Sequence, residues 1–244
     1  MRIWNVTPSL ALLSSLLGCG QGTGADSGRI EDSSAGTVSL GLGIREPYRE
    51  TSVADGGPLT GTIRVGGAAT DPVVATGREA TVCGDTAIVM DVQASDSALA
   101  NALVWVDGVN AGKPLPDLRR TRVTLEGCRI EPRVTAVVSG TTVNVFTADP
   151  LVHDVRFYRE SRGEPVATVY TVDNGQVVPS EQIASDAGIV EARCTRHPWV
   201  RGYIAVFDHP YFVVTAADGS FTIEALPAGT YDVKTHTGGA HGAI

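Results

Sequence analysis

The chain has 244 residues, of which 43% are hydrophobic, and a formal net charge of −8 at pH 7. An acidic chain of this kind argues against nucleic-acid binding, because phosphate neutralisation needs a basic face and only Arg119, Arg120 and Arg122 cluster. The sequence also has no Gly-rich phosphate loop before a helix, no nucleophile elbow and no metalloprotease helix, so we do not expect an enzyme.

Residues 1–18 come first in the chain and have the pattern of a secretory signal peptide. Met1-Arg2 supplies positive charge, and a short apolar stretch follows that ends in Leu16-Leu17-Gly18-Cys19. Such a stretch is too short to span a hydrocarbon layer of about 30 Å as a helix. The last four residues resemble the bacterial lipobox, whose cysteine is acylated and becomes the new N-terminus. The resemblance implies an exported lipoprotein that is anchored to the membrane by a lipid on Cys19.

Residues 19–57 are predicted to form the lipidated N-terminus and a flexible linker. Gly, Ser, Asp and Thr crowd this stretch, which leaves too little apolar surface to offset the entropy of ordering it. Gly20 follows the cysteine. By the same resemblance, this residue implies the outer membrane of the bacterial cell envelope, with the protein facing the periplasm or the cell surface.

Residues 58–244 form the predicted folded body, and their pattern is typical of an all-β protein. Short runs rich in Val, Ile and Thr are separated by Gly, Asp, Asn and Pro, which favours a Greek-key β-sandwich or barrel. Helical periodicity is poor, and the best helix candidate covers residues 180–187. The predicted strands cover residues 61–65, 87–92, 102–107, 133–138, 141–146, 166–172, 189–194, 202–208, 212–215, 220–223 and 230–234.

The last part of the chain contains two turn signals. Asp218-Gly219 supplies the positive φ of a tight turn and predicts a β-hairpin, and Leu226-Pro227-Ala228-Gly229 precedes a further strand. With these turns, residues 206–244 resemble the carboxypeptidase-regulatory-like β-sandwich repeat. That motif carries no chemistry of its own.

The chain has four cysteines, Cys19, Cys83, Cys128 and Cys194. If Cys19 is acylated, an odd number remains in an oxidising compartment, and one thiol has no partner within the chain. Cys83 and Cys128 both lie beside glycines at turn-like positions, and a disulfide between them would close a long loop. The alternative is that both are buried, unpaired thiols. Pairing would leave Cys194 as the free thiol.

The sharpest motif in the chain is Cys194-Thr195-Arg196-His197. A predicted strand leads into Cys194, and a second strand-end histidine, His153, lies upstream. A thiolate with two imidazoles in a trigonal plane suits copper, whereas zinc normally takes a fourth strong ligand. The sequence therefore predicts one copper site formed by His153, Cys194 and His197. The alternative is an inert buried thiol beside structural histidines.

Residues 127–204 resemble the cupredoxins, in particular the plastocyanin/amicyanin-like group. The resemblance implies a Greek-key sandwich, a type-1-like copper held by His153, Cys194 and His197, and electron transfer with a redox protein partner. The matching pieces are Gly127-Cys128-Arg129-Ile130-Glu131-Pro132, Ser139-Gly140-Thr141-Thr142-Val143, Asp149-Pro150-Leu151-Val152-His153 and Cys194-Thr195-Arg196-His197-Pro198-Trp199.

The chain departs from this family at several positions. Val200 stands where relatives carry the axial Met, and the remaining methionine after removal of the signal is Met90, far upstream. Asp154 and Thr147 stand where relatives often have Asn, whose side chains tie the ligand loops together. Arg133 stands where close relatives have His. A missing axial Met leaves a three-coordinate copper, unless Asp154 or a backbone carbonyl supplies a weak axial oxygen.

Two functions are compatible with these residues. The first is a lipid-anchored copper protein of the cell envelope that transfers electrons or handles copper. The second is a non-catalytic β-sandwich binding or structural module whose metal site has degenerated, which the residues Thr147, Asp154 and Val200 favour.

Overall fold

The computed structural model describes residues 46–66, 73–89, 93–95, 97–159, 163–237 and 241–243. Apart from one short helical segment, the regular secondary structure of these residues consists of strands, so the all-β prediction is confirmed. The predicted signal peptide over residues 1–18, Cys19, most of the predicted linker and Met90 lie outside the described residues. Within the described ranges, no helix has the length and apolar character needed to cross a membrane.

One short helical segment interrupts the succession of strands. It is a 3-10 turn over Gly77–Glu79 followed by α1 over Ala80–Cys83. The strands are β1 (Arg49–Glu50), β2 (Gly57–Thr62), β3 (Val73–Ala75), β4 (Thr86–Ile88), β5 (Gln93–Ser95), β6 (Ala98–Ala100), β7 (Leu103–Asp107), β8 (Ala111–Gly112), β9 (Arg120–Glu126), β10 (Arg129–Glu131), β11 (Val134–Val138), β12 (Thr142–Thr147), β13 (His153–Arg159), β14 (Pro165–Thr171), β15 (Val177–Ser180), β16 (Gly188–Cys194), β17 (Arg201–Phe207), β18 (Phe212–Val214), β19 (Ser220–Leu226), β20 (Asp232–His236) and β21 (His241–Ala243).

Two facing sheets form the first sandwich. One sheet has the strand order β10-β9-β12-β15, and the other has the order β11-β17-β16-β13-β14. Alternate side chains point inward, as the alternating burial along β13 shows. The inward side chains form the first core, which includes Val123, Val145, Phe157, Ala192 and Ile204. Removal of this apolar surface from water is the main force that holds the two sheets together.

The five-stranded sheet is covered on both faces around β17. Ile204 points into the first core, whereas Tyr203 and Ala205 belong to a separate cluster with Leu103 and Val134 on the other face. A strand covered on both faces needs a nearly continuous apolar run instead of alternation. The middle five residues of β17 are all buried, in keeping with this requirement.

The second sandwich lies on the other side of that cluster. Its two sheets have the orders β18-β7-β20-β21 and β19-β2. The second core between them contains Val104 from β7, Ile223 from β19 and the fully buried Tyr211. The Tyr211 hydroxyl accepts the N–H of Lys113 at 2.8 Å and donates to the carbonyl of Ala225 at 3.2 Å. The polar tip of this tyrosine is therefore satisfied within the fold.

The turn at Asp218-Gly219 forms, but it does not close a hairpin. Gly219 has a φ of +75°, and its N–H donates to the carbonyl of Ala216 at 2.9 Å. The flanking strands then diverge, because β18 pairs with β7 and β19 pairs with β2. The hairpin prediction is therefore wrong. The two strands supply the two opposing sheets of the second sandwich. The turn, closed by the bond from the Ala216 N–H to the Ser220 carbonyl at 3.0 Å, reverses the chain without pairing β18 with β19.

The helix predicted over residues 180–187 is also wrong. β15 ends at Ser180, and turns and bends follow it. Ile183 and Ala184 of this stretch are buried in the first core. Their apolar character therefore reflects a loop packed onto the sandwich, which overrides a weak local preference for helix.

The ordered body begins before residue 58, the start that the sequence predicts. β1 pairs with β8, and the Tyr48 hydroxyl donates to the carbonyl of Lys113 at 2.6 Å. Tyr48 also packs against the second core. The described part of the predicted linker, residues 46–57, is thus attached to the second sandwich.

Candidate metal centre

Neighbouring strands of the five-stranded sheet place His153 and Cys194. β13 begins at His153, β16 ends at Cys194, and the two strands run antiparallel with Val155 opposite Cys194. Opposite residues share a face, and alternation along β13 puts His153 on the same face as Val155. His153 and Cys194 are therefore diagonal neighbours on the inner face, where they are 0% and 3% exposed.

His197 lies in the loop that leaves Cys194. The Cys194 N–H donates to the carbonyl of Val200 at 3.1 Å, and the Val200 N–H donates to the carbonyl of His197 at 2.8 Å. β17 begins directly after the loop and pairs with β16. The loop is therefore closed by its own hydrogen bonds and held at both ends by paired strands, and the His197 ring is buried beside Cys194.

The three side chains converge. Cys194 Sγ lies 3.8 Å from His153 Nδ1 and 3.5 Å from His197 Nδ1. One donor atom from each of the three residues lies within 4.8 Å of the other two. A metal with bonds of about 2.0–2.3 Å in a trigonal plane would separate its sulfur and nitrogen donors by about 3.8 Å. The donor spacing therefore fits one metal ion, and the group formed by the described residues has three members.

Asp149 holds His153 from the side away from the sulfur. The His153 Nε2–H donates to the Asp149 carboxylate at 3.1 Å, which leaves Nδ1 facing Cys194. The same carboxylate accepts the backbone N–H groups of Gly127 and Cys128 at 2.7 and 3.0 Å. A buried carboxylate of this kind fixes the tautomer and the ring orientation of a metal-ligating histidine.

Sequence reasoning assigned no role to Asp149. The sequence feature that could have identified Asp149 is its position four residues before His153, within a segment that resembles the cupredoxins. A carboxylate beside an imidazole ligand is a common outer-shell partner.

The buried groups of the site shift one another's pKa values in the metal-free protein. Burial acts against the charged form of His153, but hydrogen bonds to Asp149 and Cys194 raise its pKa to about 9. Burial also opposes ionisation of Cys194, yet the His153 hydrogen bond and backbone N–H groups around the sulfur lower the pKa of this thiol. Burial lowers the pKa of His197, and the charge on His153 lowers it further. A metal held here would take the place of any proton on His153 Nδ1 and on Cys194 Sγ, because both groups bind a metal in their deprotonated form.

Asp154 ties the two ligand segments together, although it stands where the cupredoxin resemblance implies Asn. Its carboxylate accepts the Thr195 hydroxyl at 2.9 Å, and its carbonyl accepts the Thr195 N–H at 2.9 Å. Thr147, fully buried, donates its hydroxyl to the carbonyl of Asp149 at 3.4 Å. Alternation along β13 directs Asp154 away from the face of His153, so its carboxylate is not the axial ligand.

Val200 occupies the position where the resemblance implies an axial methionine. Its side chain is fully buried in the first core, in the same cluster as Cys194, and it has no donor atom. Its carbonyl already accepts the Cys194 N–H. Val200 therefore supplies no axial ligand, and the set remains one sulfur and two nitrogens.

A disulfide joins Cys83 to Cys128, with Cα atoms 5.2 Å apart. Cys128 lies in the two-residue turn between β9 and β10, whose N–H groups hold Asp149, and Cys83 ends α1. The disulfide therefore fastens the helical segment beside the metal centre. Cys194 is the free cysteine among the described residues, and it is buried.

Trp199 covers His197 from the loop side. The two ring centroids are 5.5 Å apart, and the indole packs against the first core. Trp199 therefore both covers His197 and anchors the loop to the sandwich.

No protein-family model matches the chain, and no curated protein matches it in sequence. Solved structures resemble part of it. A copper-containing nitrite reductase (NirK) from Thermus scotoductus SA-01 is 24% identical with a TM-score of 0.32, and the similarity covers 41% of this chain and 24% of the reductase. The chain thus matches about a quarter of the length of that enzyme.

Two further structures match a larger share of their own length. A variant of amicyanin in its reduced Cu(I) form is 24% identical with a TM-score of 0.31, over 36% of this chain and 81% of amicyanin. A purple cupredoxin from Nitrosopumilus maritimus is 17% identical with a TM-score of 0.30, over 35% of this chain and 98% of the cupredoxin. TM-scores this low do not establish a shared fold, so the functional conclusion depends on the strands and donor atoms of the chain itself.

Proposed function

We propose that this protein binds one copper ion through His153, Cys194 and His197 and carries one electron, or holds copper, at the cell envelope. The observation that carries the proposal is the convergence of a buried sulfur and two imidazole Nδ1 atoms, with S···N distances of 3.8 and 3.5 Å. One thiolate with two imidazoles in a plane is the donor set of blue-copper sites, whereas structural zinc takes four strong ligands.

In this proposal, the protein holds the three donor side chains in place, so they move little between Cu(I) and Cu(II). His153 is oriented by Asp149, Thr195 is tied to Asp154, and the loop after Cys194 is closed by backbone hydrogen bonds. Bound copper supplies the one-electron chemistry. Rigid donors reduce the rearrangement between Cu(I) and Cu(II), which favours rapid electron transfer with a redox protein partner. In this proposal the first sandwich is a cupredoxin-like domain.

The apolar side chain of Val200 should affect the reduction potential of bound copper. An axial donor stabilises Cu(II) more than Cu(I), and the axial ligand is one of the main determinants of the potential in these sites. Because Val200 supplies no donor, we expect a higher potential than in the Val200→Met variant, measured by redox titration of the copper-loaded proteins.

The decisive experiment is copper loading of the purified protein. The Cu(II) form should be blue through thiolate-to-copper charge transfer, and Cys194→Ser should remove the colour. Because even outer-shell changes cost about 10–100-fold in metal affinity, loss of the sulfur ligand should weaken copper binding by more than about 100-fold. His197→Ala should also weaken copper binding, because it removes a ligand. His209→Ala is the control and should not, since His209 Nδ1 accepts the Tyr211 N–H outside the site.

A different result would favour the second function. If the loaded protein stays colourless and Cys194→Ser binds copper as tightly as the wild type, the metal site has degenerated. The chain would then be a non-catalytic β-sandwich binding or structural module.

The proposal also includes a lipid anchor at Cys19, which the sequence Leu16-Leu17-Gly18-Cys19 supports. Labelled palmitate fed to an expressing bacterium should appear on the wild-type protein and not on Cys19→Ser. The labelled protein should sediment with outer-membrane vesicles. Label that persists on Cys19→Ser would exclude this anchor.

A further inference from the structure

The Cys83–Cys128 disulfide connects a peripheral segment of the chain to the residues that hold His153. β3 and β4 pair with each other and with no other strand of the described residues, and α1 lies between them. Val82 and Cys83 of α1 pack against the first core. The disulfide is therefore the covalent link between this segment and the turn at Gly127 and Cys128.

The turn that carries Cys128 has a backbone conformation that needs support from its surroundings. Gly127 and Cys128 both have positive φ, of +56° and +57°. A left-handed conformation is costly for a residue with a side chain, and it persists where the surrounding structure holds it. Three attachments hold Cys128, namely the pairing of β9 with β10, the N–H bond to Asp149 and the disulfide to Cys83. Of these, the disulfide is the one that a change in redox conditions removes.

The same turn donates the hydrogen bonds that place the Asp149 carboxylate. The Gly127 N–H donates to Oδ1 at 2.7 Å, and the Cys128 N–H donates to Oδ2 at 3.0 Å. Oδ2 also accepts the His153 Nε2–H at 3.1 Å, and the opposite ring nitrogen of His153 faces Cys194 Sγ. One carboxylate oxygen thus receives both bonds, so a displacement of Cys128 moves the acceptor that orients the His153 ring.

A thiol can reach the disulfide from the side of Cys83. Cys83 is half-buried, whereas Cys128 is 1% exposed. Exchange begins when an external thiolate attacks the more accessible sulfur, here Cys83 Sγ, and Cys128 leaves as a thiolate that takes up a proton. The second thiol of a dithiol then displaces Cys83. The protein disulfide gains two electrons and two protons, and the dithiol is oxidised to its own disulfide.

We propose that the Cys83–Cys128 disulfide is a redox switch of the metal centre, and that its reduction by a dithiol weakens copper binding. This inference rests on the proposed function and names a regulation of the same site. In the oxidised protein, the turn holds Asp149, and Asp149 holds the ring of His153. In the reduced protein, the turn is released, the His153 ring is less well oriented, and copper binds more weakly.

The first test measures amide hydrogen exchange in the metal-free protein before and after reduction with dithiothreitol. Reduction should accelerate exchange of the Gly127 and Cys128 amides by about tenfold, the factor expected for loss of one hydrogen bond to a carboxylate. The Ala102 amide, which the Thr215 hydroxyl holds in the second sandwich, is the control and should keep its rate. Equal acceleration of all three amides would show a general loss of stability and would overturn the proposal, as would unchanged rates.

The second test measures copper affinity by competition with a chelator. Cys83→Ala/Cys128→Ala removes the disulfide without a reductant, which would itself bind or reduce copper. This double variant should bind copper about tenfold more weakly, at the lower end of the range for changes around a metal ligand. In an Asp149→Asn background the same two substitutions should cost clearly less, because the carboxylate that links the turn to His153 is already lost. Equal losses in the two backgrounds would contradict a switch that acts through Asp149.

Failure of this inference is distinguishable from failure of the copper function. A wild type that binds no copper with its disulfide intact would overturn the copper function and the switch together. A wild type that binds copper through Cys194, with an equal affinity in Cys83→Ala/Cys128→Ala, would overturn the switch alone.

Discussion

The two sandwiches use their buried polar residues in opposite ways. In the second sandwich, the Thr215 hydroxyl accepts the Ala102 N–H at 2.9 Å and donates to the carbonyl of Leu99 at 2.7 Å, so it joins two backbone segments. This hydroxyl is satisfied by neighbouring main chain, which stabilises the fold and leaves the hydroxyl no free chemistry.

In the first sandwich, the buried polar residues converge. Cys194 lies between two imidazoles, and a buried carboxylate holds one of them. Their pKa values are displaced by one another, which is a frequent sign of a functional site. Mutual convergence of titratable groups, and not burial alone, therefore distinguishes the metal centre from the satisfied core of the second sandwich.

The largest expected effect is on copper affinity, and it should distinguish two buried histidines, one from each sandwich. His153 belongs to the metal centre, whereas His236, 1% exposed, packs its ring edge against Tyr203. His153→Ala should weaken copper binding by more than about 100-fold, and His236→Ala should leave it unchanged. Competition with a chelator of known affinity measures both. Equal losses in the two variants would show that the site is not confined to the first sandwich.

The next effect concerns the boundary between the sandwiches. Leu103 is fully buried in the cluster between them. Leu103→Ala should lower the free energy of unfolding by about 2–5 kcal/mol, in one transition seen by both near-UV and far-UV circular dichroism. Leu118→Ala, at a residue 75% exposed, is the control, with an expected change within about 0.5 kcal/mol. Two separate transitions would mean that the sandwiches unfold independently.

A pH-dependent effect should be confined to the first sandwich. Burial lowers the pKa of His153, but the hydrogen bonds to Asp149 and Cys194 outweigh it and raise this pKa from 6.5 to about 9. The protonated His153 therefore contributes fully to the stability of the folded protein below pH 6.5. This contribution is lost as the pH rises through about 9. The stability difference between the metal-free wild type and Asp149→Asn should therefore shrink by on the order of 2 kcal/mol from pH 6 to pH 9.5. Urea unfolding across this range measures it, and a constant difference would contradict the ion pair.

The smallest expected effect tests the tie between the ligand segments. Thr195→Val removes the hydroxyl that Asp154 accepts and should cost about 0.5–1 kcal/mol of stability. Thr222→Val, at an exposed position of β19, should cost less, because no tie between segments is lost there. Thermal unfolding of the two variants provides the comparison. A Thr195→Val protein as stable as Thr222→Val would show that the tie contributes little.

The sequence alone was sufficient where the structure depends on near neighbours. Cys194 and His197 are three positions apart, so a short loop brings them together with little help from the rest of the chain. The all-β class followed from branched residues and turn residues at regular spacing. Local patterns failed for β9 and β13, which were not among the predicted strands. Both carry charged residues on their outward face, Arg120 and Arg122 in β9 and Asp154 and Arg156 in β13, and these interrupt the apolar signal.

Only the tertiary structure decided how distant segments meet. In the folded chain, Asp149 is hydrogen-bonded to His153, and Thr195 is hydrogen-bonded to Asp154. The strands on either side of the Asp218-Gly219 turn belong to different sheets. The physical reason is that local sequence sets turns and the alternation of faces, whereas strand pairing and side-chain hydrogen bonds are chosen by which faces can be buried together.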